Sequence, residues 1–271
     1  MAPKIKTADG YEIPSLGWGV WGITSEADFK EGFNAAIDNG YRLIDTAQAY
    51  HNEKYLGECI KNSSIDRKDL YITTKIAVQN FGQKKVASSF ERSMEALQLE
   101  YVDLLLLHFP VSVLRKKSWQ VLTEKKKTGR VRSIGVSNYT VRHLKEMSSY
   151  SDETPVVNQV ELHVFLQQPD LIKYCHDNNI VIEAYSPLAH GNMGEEEIIQ
   201  KIADKYKKSY AQIMLKFLNQ QGLVVIPKST NPIRIKENMD IFDFKLSGEE
   251  MENLKTLDRN YRTCWNPTPI P

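Results

Sequence analysis

The sequence predicts an α/β fold: a (β/α)8 TIM barrel with an N-terminal β-hairpin and a short C-terminal tail. Three observations lead there. Short β-branched or Leu-rich runs alternate with amphipathic stretches along nearly the whole chain, the pattern of a parallel sheet covered by helices. The runs are continuously apolar, as strands buried on both faces are. Eight such units fit into about 250 residues, the number and length that a barrel requires. A doubly wound sheet would need fewer strands and a break to a second domain. No Gly/Ser linker or low-complexity segment interrupts the 271 residues, so residues 1–271 are read as one domain.

The hairpin comes first: Lys4–Lys6 and Tyr11–Ile13, joined by Ala8-Asp-Gly10 and placed to plug one end of the barrel. GWGVWG follows, from Gly17 to Gly22, and spells G-x-G-x-x-G. That fingerprint of a Rossmann turn must follow a well-formed central strand, yet Pro14 cannot donate to a sheet ladder. Its third glycine should open a helix. Here Ile23 and Thr24 intervene before Ser25, the expected N-cap, with Asp28 three residues on. The run is therefore read as a loop between the hairpin and the first helix. Expected strands are Arg42–Asp45, Leu70–Lys75, Val102–His108, Ser133–Ser137, Val156–Glu161, Ile180–Tyr185, Leu223–Pro227 and Ile241–Phe244. Expected helices are Glu26–Asn39, Glu53–Asn62, Lys84–Leu99, Lys116–Thr128, Thr140–Met147, Pro169–Asn178, Glu195–Lys207 with Tyr210–Gln221, and Pro232–Asn238. One more, Gly248–Leu257, precedes the tail.

Composition removes several function classes. The chain is 41% apolar and 25% charged, with a net charge of +1, so no global field draws in nucleic acid or an anionic membrane. The basic run from Arg115 to Arg132 is interleaved with Trp119, Val121 and Leu122 at helical spacing, a solvated helix face. Cys59, Cys175 and Cys264 stand far apart with no His at ligand spacing, so reduced thiols and no metal are expected. The N-terminal residues lack an apolar core for a signal peptide, and no stretch approaches the ~18 apolar residues of a membrane span. A cytoplasmic monomer is expected, and the sequons at Asn62 and Asn138 carry no weight.

Chemistry in a barrel sits where strands deliver their C-terminal ends. Three successive runs end in ionisable residues: Asp45, Lys75 and His108, with Tyr50 one loop beyond Asp45. Each alone has an ordinary structural explanation: a helix cap, a snorkelling lysine, a core histidine, a packed phenol. Together they do not, because burying charge without a partner costs several kcal/mol. A Lys75 ammonium near Tyr50 would lower the phenol's pKa from ~10 towards neutrality. Asp45 would keep Lys75 charged, and His108 would hydrogen-bond the same carbonyl oxygen that Tyr50 protonates. An electron pair must then come from outside the protein, since no cysteine or metal cluster supplies it.

These residues lie in blocks that resemble the aldo-keto reductases: Asp45-Thr-Ala-Gln-Ala-Tyr50-His-Asn-Glu, Ile72-Thr-Thr-Lys75 and Leu107-His108-Phe-Pro110. The blocks Gly135-Val-Ser-Asn138, Asn158-Gln159-Val-Glu, Ala184-Tyr185-Ser-Pro-Leu188 and Ile226-Pro-Lys228-Ser229 continue it, from about Gly10 to Arg262. The resemblance implies a (β/α)8 barrel that reduces aldehydes or ketones with NADPH, through a catalytic set of Asp45, Tyr50, Lys75 and His108. It implies that Ser137, Asn138 and Gln159 hold the nicotinamide carboxamide, that Tyr185 stacks on the ring, and that Ser186 and Leu188 lie along the pyrophosphate. It also implies that Gly19, Val20 and Trp21 run along the nicotinamide side, with Trp21, Tyr50, His108 and Phe109 lining the substrate pocket. Lys228, Ser229, Thr230, Arg234, Glu237 and Asn238 match the adenosine end. There Asn231 then Pro232 reads as an N-cap and first helical residue, an anion site flanked by Lys228 and Arg234 and suited to a 2′-phosphate.

Departures from the family pattern bear on the substrate. Val20 stands where a threonine is usual, and Lys75-Ile-Ala77 where many members read Lys-Leu-Trp. The frequent His-Trp-Pro is His108-Phe109-Pro110, and a short loop follows it. Ala77 is thus expected to leave an open pocket walled by Trp21, Phe109 and Trp265. The resemblance is closest to small, short-looped members, such as diketo-gluconate reductases and prostaglandin F synthase-like enzymes. Two rival readings stand beside it: a Schiff-base aldolase using Lys75, and a regulatory subunit of the same fold that senses the nucleotide.

Overall fold

The glycine run closes the barrel. In the computed structural model, which describes residues 1–191 and 196–271, eight strands form one parallel sheet. After the antiparallel hairpin strands β1 (Lys4–Lys6) and β2 (Glu12–Pro14) come β3 (Gly17–Gly19), β4 (Leu43–Asp45), β5 (Tyr71–Ile76) and β6 (Val102–Leu107). The sheet continues with β7 (Val131–Ser137), β8 (Val157–Glu161), β9 (Val181–Tyr185) and β10 (Val224–Val225). Strands β3 to β10 pair in chain order. Parallel bridges Leu16–Val225 and Gly19–Lys228 join the two edges, with Gly19 N donating to Pro227 O at 3.1 Å and Val225 N to Ser15 O at 3.1 Å.

Eight strands were expected and eight are found, but offset by one. Gly17–Gly19 is the first strand rather than a loop, and Ile241–Phe244 is not a strand. The reason is steric. A Cβ on Gly17 would lie 2.4 Å from Leu43 Cγ, and one on Gly19 would lie 2.9 Å from Ile226 O. Only glycine lets β3 pass between β4 and the chain leaving β10, and a strand of glycines carries no apolar signature. The Ile241 segment instead anchors a helix, its carbonyl accepting from Lys216 Nζ at 3.0 Å.

The covering helices are α1 (Glu26–Asp38), α2 (Glu53–Asn62), α3 (Gln83–Leu97), α4 (Arg115–Lys127), α5 (Val141–Met147), α6 (Pro169–Asp177), α7 (Glu197–Tyr206), α8 (Tyr210–Asn219), α9 (Pro232–Met239) and α10 (Gly248–Lys255). Glu195, where the seventh was expected to begin, lies outside the described residues. Ser25 caps α1 as expected, accepting from Asp28 N at 3.3 Å.

The period-2 alternation of strands splits the barrel interior into two levels. Low in the barrel, Leu43, Tyr71, Leu104, Val157 and Val224 pack with Ile13 of the hairpin, which plugs the end where the strands begin. Towards the C-terminal ends of the strands the residues become polar: Asp45 on β4, Lys75 on β5, Ser137 on β7, Gln159 on β8 and Tyr185 on β9. The hydrophobic plug therefore closes one end and leaves the chemistry at the other.

Gly19→Ala tests the closure. A methyl group forced against the Ile226 carbonyl should cost about 1–3 kcal/mol in urea unfolding. Stability equal to wild type would mean that the two edges are not held this closely.

Candidate active site

Lys75 is fully buried, and its three ammonium protons each find an acceptor. Nζ donates to Asp45 Oδ1 at 2.5 Å, to the Thr46 carbonyl at 2.9 Å and to Tyr50 Oη at 3.1 Å. The two strand ends supply the ion pair directly. Tyr50 is brought over it by the single 3-10 turn Gln48–Tyr50, which His51 ends in the left-handed region at φ 58°. The Tyr50 and His108 rings meet edge to face with centroids 5.6 Å apart. Tyr50 and His108 are only half-buried and face the mouth of the barrel. The structure thus brings together all four residues singled out from the strand ends.

Burial governs their protonation. It lowers the Lys75 pKa, but Asp45 and Tyr50 outweigh that and hold the ammonium above its ordinary value. Burial pushes Asp45 up while Lys75 and Gln159 pull it down. With donors at 2.5 and 2.7 Å, its charged form is the one the geometry supports. For Tyr50 the expectation fails in sign: burial outweighs Lys75, and the phenol sits above its usual range. Its hydroxyl is kept protonated. Burial, then the Lys75 charge, push His108 down to about 3, so its imidazole is neutral.

A second group of side chains lies beside these. Asn138 donates to the His108 carbonyl at 3.1 Å and to Ser137 Oγ at 3.0 Å, and accepts from Tyr185 Oη at 2.7 Å. Gln159 donates to Asp45 Oδ2 at 2.7 Å. Asn138 N also donates to the Gln159 carbonyl at 2.8 Å, which joins Ser137, Asn138, Gln159 and Tyr185 into one network beside the ion pair. Further along, Ser186 and Leu188 follow β9, Ser186 with φ 48°. Ser229 Oγ accepts from Asn231 N at 3.0 Å, and the Asn231 side chain accepts from Ile233 N and Arg234 N, capping α9 as expected. Lys228, Arg234 and Glu237 are exposed around that helix start, Thr230 is half-buried, and Asn238 is buried one turn further on.

Comparison with known proteins follows this geometry. Residues 15–259 match the aldo/keto reductase family. The chain belongs to that family. The glyoxal reductase of Bacillus subtilis is 43% identical over 98% of this chain and 96% of its own. The methylglyoxal reductase DkgA of Escherichia coli is 40% identical over 97% of this chain and 96% of its own. A Bombyx mori aldo-keto reductase, solved in complex with NADP, superposes with a TM-score of 0.90 at 34% identity, covering 96% of this chain and 94% of that one.

Within this reductase, some expected contacts need correction. Val20 is wholly buried in the core; its N–H donates to Asp45 O and its carbonyl accepts from Asn52 Nδ2, so nothing of it is left for a ligand. Ala77 does not open a pocket. It is buried, with its N–H held by Gln48 Oε1 at 2.9 Å, because the turn carrying Tyr50 packs over it. The apolar surfaces at the mouth are Trp21, 57% exposed, and Phe109, whose ring stands 6.1 Å from that of Trp265, 76% exposed.

Two residues escaped the sequence reading. The Thr46 carbonyl is a Lys75 acceptor that no residue type announces. Glu183 is fully buried on β9, both carboxylate oxygens lack a hydrogen-bond partner among the described residues, and burial pushes it up to about 8. Its signal was available: it is the only charged residue in Val181–Tyr185.

Ala77→Trp should consequently lose about 1–3 kcal/mol of stability by overpacking. The ratio of kcat/KM between a small and a large aldehyde should stay as in wild type. A changed ratio at unchanged stability would place position 77 in the pocket after all.

Proposed function

We propose that this reductase converts aldehydes and α-dicarbonyls to the corresponding alcohols with NADPH, and that Tyr50 donates the proton. The observation that carries the reading is the hydrogen-bonded series Asp45–Lys75–Tyr50, buried at its base and ending in the half-buried Tyr50.

The residues present fit a nicotinamide dinucleotide. Tyr185 offers a half-buried ring beside the Ser137–Asn138–Gln159 network. The capped start of α9, with Lys228 and Arg234 exposed around it, suits an anionic adenosine end. When bound, the cofactor supplies the hydride that reaches the carbonyl carbon.

The chain's own residues manage the charge that appears on oxygen. The Tyr50 hydroxyl, kept protonated by burial, donates its proton to the carbonyl oxygen as that oxygen gains negative charge. Lys75 lies 3.1 Å from the phenol oxygen and stabilises the phenolate left behind. Asp45 and the Thr46 carbonyl hold the ammonium in place and charged. His108, being neutral, orients the carbonyl with a ring N–H rather than competing as an acid. The pocket at the mouth, with Trp21, Phe109 and Trp265 as its apolar surfaces, discriminates weakly among small carbonyls, since a methylene changes transition-state binding by only about 1–3 kcal/mol. The named relatives that reduce glyoxal and methylglyoxal support an α-dicarbonyl substrate. A Schiff base on Lys75 is disfavoured, because all three of its protons are engaged.

Two variants test the reading. Tyr50→Phe should lose more than tenfold in kcat, over about 1.4 kcal/mol, while NADPH still quenches its fluorescence on binding. A variant retaining more than about a tenth of wild-type kcat rules out Tyr50 as the donor. Arg234→Ala should weaken NADPH roughly ten- to a hundredfold, the worth of one charge-assisted contact, and leave NADH nearly unaffected. Equal weakening of both nucleotides would make Arg234 a support of the fold.

A further inference from the structure

Glu183 has no part in the chemistry described so far, yet its position is difficult to explain as packing. It is the middle residue of β9, paired in register with Gln159 on β8 and Val224 on β10. Its side chain is buried in the barrel with both oxygens unpartnered among the described residues. Gln159, its register partner on β8, donates to Asp45 at 2.7 Å, so the strand beside Glu183 carries a direct link to the ion pair. An apolar residue of the same volume would avoid the desolvation cost of the carboxyl.

The titratable groups facing Glu183 are Asp45 from β4, Lys75 and Tyr71 from β5, and Tyr50 from the turn after β4. Its sheet neighbours, Gln159 and Val224, do not titrate. Two carboxyls that share the field of one buried ammonium cannot both ionise cheaply. Asp45 holds the two donors and keeps the charge; Glu183 holds none and keeps the proton.

We propose that Glu183 is a positioning residue for the proton donor: an unpartnered carboxyl buried inside the barrel, beside the glutamine that holds Asp45, whose charge state governs how firmly Tyr50 keeps its proton. The proposal rests on the reading of Tyr50 as donor. Glu183 is uncharged at neutral pH, so the interior contains one matched ion pair and Lys75 acts on Tyr50 undiminished. As pH rises through about 8, Glu183 loses its proton and adds an unmatched negative charge. That charge opposes a second one on the Tyr50 oxygen, raising the phenol's pKa. Carbonyl reduction, which needs the protonated phenol, is thereby carried to higher pH, and alcohol oxidation, which needs the phenolate, is delayed.

The test compares Glu183→Gln, which keeps the shape and removes the charge, with wild type. The alkaline limb of kcat/KM for reduction, each profile scaled to its own plateau, should move roughly one pH unit lower in the variant, as expected for one charge lost nearby. A limb within about 0.3 unit of wild type overturns the proposal, since a purely structural role would change the plateau and not the limb. A second readout needs no turnover. The infrared difference between wild type and Glu183→Gln should contain the band of a buried protonated carboxyl at neutral pH and lose it as pH passes about 8; a difference spectrum without that transition also overturns the proposal. Tyr50→Phe, measured beside them, reports on the donor alone. Turnover surviving in Tyr50→Phe defeats the donor reading and the proposal with it. Turnover lost there with the limb unmoved in Glu183→Gln defeats Glu183 only.

Discussion

A fully buried ammonium is the constraint from which the site follows. Lys75 can lie inside the barrel only because a carboxylate, a backbone carbonyl and a phenol take its three protons within 3.1 Å. Removing any one would leave a buried donor unpaired, at a cost of several kcal/mol. The same requirement that stabilises the lysine fixes Tyr50 in space. Asp45 is tied in turn by Gln159, so strands β4, β5 and β8 are linked across the barrel through one charge pair.

Low dielectric then separates the roles of the neighbouring groups. Desolvation raises Tyr50, where it outweighs Lys75, and Glu183, and lowers the base without an anionic partner, His108. Near neutral pH, one cation, one anion and three neutral groups result. A neutral acid beside a charged lysine is poised to release a proton only when an acceptor oxygen arrives, which is what carbonyl reduction demands.

Barrel closure matters to the site as well as to the fold. Because β3 is made of Gly17, Trp18 and Gly19, the chain leaving β10 can approach it to within a backbone hydrogen bond. That contact sets Lys228 beside Gly19. The two ends proposed for the dinucleotide, nicotinamide and adenosine, are thereby held by one seam of the barrel. Trp18 adds to the seam, its indole donating to the Ser229 carbonyl at 2.9 Å.

The sequence by itself determined the barrel, seven of its eight strands, most helices, and the three strand-end residues with Tyr50 beyond them. Apolar runs, their 3.6-residue complements and an ionisable residue closing an apolar run are local patterns, written in adjacent residues. The capped start of α9 was legible for the same reason. Other features depended on which segments meet. Gly17–Gly19 is a strand because of what packs against it, and glycine leaves no trace of that in hydropathy. Ala77 is buried because Gln48 folds over it, a contact across 29 residues of sequence. The sign of the Tyr50 shift depended on weighing burial against Lys75, two terms whose sizes come only from depth and distance. Glu183 was visible as an acid in a strand, but only the tertiary structure shows that it is buried, unpartnered and close to Asp45. Charge and residue type are properties of sequence; desolvation and distance belong to the fold, and those two quantities decide what a buried group does.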